Sequence, residues 1–191
     1  GLETGVYFFA QAVTVEEAIE EADYVISLLD GLDINGPVAY DWEMHDSTYR
    51  VYGTEPEVAT ACAKAFCDRI AQAGYEPMVY VSRYVGYFKF DLRELSGIPL
   101  WYPEYKYEPT APEKVCPQLY YRVDYWQYTN KLKVDGKANL DVSMDMSEKP
   151  EYIAVMAFDI GIAQRTVQQG QNCVIGVFQS NFIAQLGGIH T

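Results

Sequence analysis

Positive charge is scarce in this sequence. It has 14 Lys and Arg against 27 Asp and Glu, for a formal net charge of -13. Nucleic acid and anionic membrane surfaces would repel such a chain, so neither is expected as a partner. No run of 18 apolar residues is present, so no membrane insertion is expected. The opening GLETGVYFFA has no basic n-region, so no signal peptide is visible. The four cysteines, Cys62, Cys67, Cys116 and Cys173, match no zinc-ribbon or CxxC spacing and read as buried or free thiols. HExxH, a Gly-rich phosphate loop and the GxSxG elbow are all missing. We therefore expect no metal and no cofactor. Histidine is rare, with two residues, His45 and His190.

What is abundant is apolar and aromatic. Hydrophobic residues make up 49% of 191 residues, enough for one well-cored domain. Aromatics are 15%, dominated by 17 Tyr, which suits strands and carbohydrate or peptide surfaces alike. The order of elements is legible at first. Gly5 to Ala12 reads as a buried strand. Thr14 to Glu17 is a capping box opening a helix whose stripe is Val15, Ala18, Ile19, Ala22, Val25, Ile26 and Leu29. Asn35-Gly36-Pro37 is a turn, and Val38 to Glu43 a strand. A second capping box, Thr54 to Glu57, opens a helix that Gly74 closes, and Met78 to Val81 is the next strand. This βαβαβ order predicts a parallel sheet. Helices then fade. Short strands are expected over Ile98 to Tyr102, Asp124 to Thr129, Leu140 to Met144, Tyr152 to Asp159 and Asn172 to Gln179. The fold class is α/β, and the strand number suggests a barrel. Pro103 to Pro117 is the longest expected loop.

The strand Val38 to Glu43 ends in Asp41-Trp42-Glu43. Alternation puts both carboxylates on one face, Cβ atoms on the order of 7 Å apart, with Trp42 on the other. At the C-terminal end of a parallel barrel strand, the inward face looks into the site mouth. Two acids there repel, so burial keeps one protonated while the other ionises. That is the equipment for cleaving a glycosidic bond. A DxE triplet alone is also compatible with a solvated strand end.

The surrounding segments add specificity. GVYFFAQA, EEAIEEADY, PVAYDWE, GYEPMVYVS, IPLWYPEY and DYWQYTNKLKVDG resemble, in that order, the glycoside hydrolase family 25 lysozymes. The resemblance covers Gly1 to about Asp145. It implies a modified TIM-like barrel, (β/α)5 followed by three β-strands. It implies an N-acetylmuramidase cutting the β-1,4 bond between N-acetylmuramic acid and N-acetylglucosamine in peptidoglycan, outside the cell. By this resemblance Glu43 is the general acid and Asp41 its partner carboxylate. Asp141 holds the place of a late cleft aspartate, although Ser143 departs from the pattern and Asp145 is a rival. Tyr7, Tyr80, Trp101, Tyr105, Trp126 and Gln127 match groove positions, where core packing is the alternative. His45 sits where a rim-loop histidine would.

Family members begin with an aspartate-bearing strand that has no counterpart before Gly5. The segment Ala157 to Arg165 resembles that missing start, with Asp159 in the aspartate's place. We therefore expect a permuted order, residues 1–145 forming the body of the barrel and 146–191 supplying its first strands. Asp159, Asp41, Glu43 and Asp141 would then converge in one monomeric domain. Alternatives are a glycosidase on another N-acetylated glycan such as chitin, a non-catalytic glycan-binding module, or an inactive fragment. The chitinase-like DxxDxDxE run is absent, since Ala39 stands two residues before Asp41.

Overall fold

The computed structural model describes residues 4–105, 117–133, 140–146 and 175–176. They form a mixed α/β structure in two compact units, the first reaching Trp101 and the second beginning at Tyr102.

The first unit is built on parallel strands β1 (Val6–Ala10), β2 (Val38–Trp42), β3 (Pro77–Tyr80) and β4 (Leu100–Pro103), each beside the next. β4 carries the chain into the second unit. Helix α1 (Val15–Leu29) joins β1 to β2 and α2 (Pro56–Gln72) joins β2 to β3. The parallel order agrees with the expected alternation.

Local chemistry sets the boundaries. Thr14 caps α1 by accepting the Glu17 N–H at 3.2 Å. The Glu17 carboxylate reaches back to Val13 N–H at 2.9 Å, one residue outside the ideal capping box. It also pairs with Arg50, which lowers its pKa to about 2. The apolar stripe of α1 is narrower than expected. Ala18, Ala22, Val25 and Leu29 are buried, but Ile19 is exposed. The second helix corrects the sequence reading. Its N-cap is Glu55, not Thr54, and no side chain caps it. Pro56 at the first helical position disfavours α backbone in the preceding residue, so Glu55 is extended whatever its side chain.

Gly74 follows the α2 C-cap, Ala73, with φ +89° and open space where a Cβ would sit. The cost of a side chain there is therefore backbone strain alone. Gly74→Ala is expected to lower stability by about 1 kcal/mol, read as a lower urea midpoint at unchanged slope.

One sheet face packs on the helices. Phe8 and Tyr40 lie against Phe66 of α2, with ring centroids 6.3 Å and 4.9 Å apart. Trp42 packs on Phe90 at 5.6 Å. Cys62 and Cys67 are both buried on α2 with free thiols, and burial raises their pKa values to about 11 and about 12. The expectation of buried thiols holds for this pair; Cys116 and Cys173 lie outside the described residues. A short helix, α3 (Arg83–Phe88), follows β3; Ser82 caps it by accepting the Val85 N–H, and it is too short to show a helical period.

The second unit is an antiparallel hairpin, β5 (Tyr125–Leu132) and β6 (Leu140–Asp145), extended by the two-residue strand β7 (Ile175–Gly176) antiparallel to β6. Register shifts interrupt β5–β6 after Gln127 and Thr129. Apart from Met146 and β7, the segment 146–191 lies outside the described residues, and with it the expected strand Tyr152 to Asp159 and the permuted order.

Candidate functional site

In a parallel sheet, residues in register point to the same face. Phe9 of β1 registers with Asp41 of β2, Asp41 with Tyr80 of β3, and Tyr80 with Trp101 of β4. These four side chains form one row across the sheet, on the face away from the helices. Tyr7 and Ala39 lie one row below. Trp101 meets Tyr80 edge-on at 4.9 Å and Tyr7 at 5.9 Å. Tyr80 and Trp101 are themselves largely buried, and Phe9 is 39% exposed. Phe9 was absent from the sequence-based site. Its signal was available, because it follows Tyr7 by two residues on the same strand.

Asp41 and Glu43 fall on this face, but their surroundings differ. Asp41 is inside β2, 7% exposed, and its Oδ1 has no hydrogen-bond partner among the described residues. Burial, and then the charge of Glu43, hold its pKa well above the carboxylate range. Burial thus favours its neutral form. β2 ends at Trp42, so Glu43 is the first residue beyond the strand, and its side chain is 25% exposed. Trp42 points to the opposite face, as alternation requires.

Glu43 has a partner that sequence reading did not assign. His45 Nε2 lies 3.1 Å from Glu43 Oε2. The ring stands edge-on to Tyr49 at 5.2 Å, and Tyr49 to Phe9 at 6.3 Å. Asp46 fixes the loop by accepting Thr48 N–H at 2.8 Å and its hydroxyl at 2.6 Å. This contact has no periodic signal, because it forms after the strand has ended.

Other expected site residues lie in the second unit. Tyr105 Oη donates to Gln127 Oε1 at 2.7 Å, and Gln127 hydrogen-bonds the Asp141 carboxylate. Asp141 is exposed as a residue, yet crowding of its carboxyl raises its pKa, which Gln127 partly offsets. Its rival Asp145 is on the same face of β6 by alternation. Trp126 is on the opposite face from Gln127, fully buried, with Nε1 donating to the Glu104 carbonyl at 3.2 Å. Asp159 lies outside the described residues. Among the described residues, no group of three or more His, Cys, Asp or Glu could hold a metal ion, and no helix is long and apolar enough to cross a membrane.

Comparison with known proteins follows the same outline. No curated protein matches the chain. Among solved structures it is similar to the modular Cpl-1 endolysin complexed with a peptidoglycan analogue. The matching structures of that protein include the wild type and a glutamate-to-glutamine variant holding a tetrasaccharide-pentapeptide. Each is 25% identical with a TM-score of 0.54 and covers 66% of this chain and 36% of the endolysin. The matched part thus spans about a third of the endolysin's length. Residues 1–137 match the family model described as Glycosyl hydrolases family 25, and with that span the chain belongs to this family.

Proposed function

We propose that this chain is a lysozyme-type glycoside hydrolase acting on peptidoglycan. It would cut the β-1,4 bond between N-acetylmuramic acid and N-acetylglucosamine. Glu43 is the general acid and Asp41 its partner carboxyl. The observation that carries this reading is the division of labour within the pair: two acids on one sheet face, one deep, one at the strand's open end. A general acid must reach the glycosidic oxygen, and only Glu43 is open enough to do so. Burial shifts Asp41 toward its neutral form, and in that form it can donate a hydrogen bond, as to the acetamido carbonyl of a bound sugar. Phe9, the exposed ring of the row, supplies aromatic surface beside the acids, with Tyr80 and Trp101 packed behind it, and rings suit the apolar faces of sugars. In the second unit, Asp141, Gln127 and Tyr105 are proposed as glycan contacts. The peptidoglycan analogue bound by the similar endolysins supports the substrate class.

The test is purified bacterial wall treated with the protein, followed by identification of the new reducing ends. Wall clearing with N-acetylmuramic acid at the reducing end is the expected result. N-acetylglucosamine at that end would move the cut to the other bond, and a folded protein that releases no sugar ends would overturn the hydrolase reading.

A further inference from the structure

A general acid is usually kept protonated by burial. Here burial falls on Asp41, while Glu43 is a quarter exposed and touches an imidazole. This arrangement asks where the proton of Glu43 comes from. His45 answers on geometry. Its Nε2 is within hydrogen-bond distance of the carboxylate, and its side chain is 60% exposed, so the ring bridges Glu43 and bulk water. The ring is also held in place, by Tyr49 beneath it and by the loop that Asp46 and Thr48 close. The titratable groups facing it are Glu43, Asp46 and Tyr49, and Asp41 lies behind Glu43.

We propose that His45 is a positioning residue that also supplies the proton of Glu43. In the free protein the pair shares one proton on the imidazole side. A bound glycan covers Glu43 and expels water, which disfavours separated charges. The Nε2–H bond then breaks and an O–H bond forms on Oε2, leaving a neutral imidazole. Glu43 next gives this proton to the glycosidic oxygen, and the attacking water returns one to its carboxylate. No net proton is consumed and no other reactant is needed. This inference rests on Glu43 being the general acid, and the experiment separates the two.

His45 is one of two histidines, so His45→Gln identifies its ring signal by NMR. Titrating that signal in the wild type and in Glu43→Gln tests the shared proton without any substrate. A two-step curve in the wild type that becomes one step in Glu43→Gln is expected. Identical curves in both would overturn the proposal.

Kinetics on solubilised glycan strands then tests its use. A glutamine at 45 can still donate a hydrogen bond to Oε2 but cannot deliver a proton. His45→Gln is expected to lower kcat about 10- to 100-fold at pH 7, with KM within about twofold. The loss should shrink as pH is lowered, because solvent can then supply the proton in place of His45. Full activity of His45→Gln, or a loss equal at every pH, would reduce His45 to a structural role and overturn the proposal. Activity retained by Glu43→Gln would instead remove the general-acid reading, and this inference with it.

Discussion

Glu43→Gln is expected to lower kcat for wall hydrolysis by about 10³-fold, with KM within about twofold. The substitution removes a transferable proton and almost nothing else. Glu43 lies beyond the end of β2 and is partly exposed, so no core contact is lost. The amide is close in shape to the carboxyl and can still hydrogen-bond His45. The melting temperature should therefore move by no more than a surface substitution does, a change worth about 0.5 kcal/mol or less. One secondary effect follows from the pair. The Glu43 charge is the lesser of the two causes that raise the Asp41 pKa. Removing it lets Asp41 ionise at somewhat lower pH, while burial, the larger cause, keeps the direction. Glu43→Asp, which keeps the proton but shortens its reach, should fall between the wild type and Glu43→Gln. Turbidity clearing of purified walls, with a thermal melt of each variant, measures both halves. A Glu43→Gln protein that melts normally and clears walls at the wild-type rate would sink the assignment.

The largest stability effect is expected at a different acid. Glu21, on α1, accepts the Gln11 N–H through Oε1 at 2.8 Å, but its buried Oε2 has no hydrogen-bond partner among the described residues. The buried Tyr40 hydroxyl likewise has none. Burial pushes the Glu21 pKa up from 4.5 to about 7, against the opposing pull of Gln11 and Arg50. The folded value lies above the unfolded one. Between the two, the folded state keeps a proton that the unfolded state has released. Stability is thus fully present below pH 4.5 and is lost as pH rises through 7. At about 1.4 kcal/mol per pH unit over the span from 4.5 to about 7, the loss is on the order of 3.5 kcal/mol by pH 8.

Glu21→Gln cannot ionise, and it keeps an acceptor for Gln11. It should melt roughly 5–10 °C above the wild type at pH 8 and within about 2 °C of it near pH 4. Asp41 contributes in the same direction in both proteins, so the difference between the two melting curves isolates Glu21. A gap that does not grow with pH would show that Glu21 is not the buried acid responsible.

Most of the first unit was readable from the residues. The spacing of Ala18, Ala22, Val25 and Leu29 and the Thr14 cap define α1, because a helix face and its first turn are local properties. Alternation placed Asp41 and Glu43 together and Trp42 apart. It did not reveal that the strand stops at Trp42, which leaves one acid deep and the other open. The burial of Glu21 was hidden for a related reason. It flanks the α1 stripe, and only the neighbouring α2 and β2 decide whether a flank is wet. The His45 contact and the short helix α3 were illegible because a turn and six residues carry no period. In the second unit, Gln127 and Asp141 were named from resemblance, and their hydrogen bond depends on a β5–β6 register that bulges shift. Asp159 and the permuted order stand outside the described residues.

The parallel strands of the first unit have a kinetic consequence. β1, β2, β3 and β4 are neighbours in space in the order they occur in the chain. Each new strand pairs with the one just before it, after a single helical crossover. The entropy of loop closure is thus incurred in modest instalments. During synthesis, every new strand finds its template already made and docks without waiting for distant sequence. The row from Phe9 to Trp101 would assemble left to right, with Asp41 buried once β3 arrives and Glu43 still open beyond the end of β2.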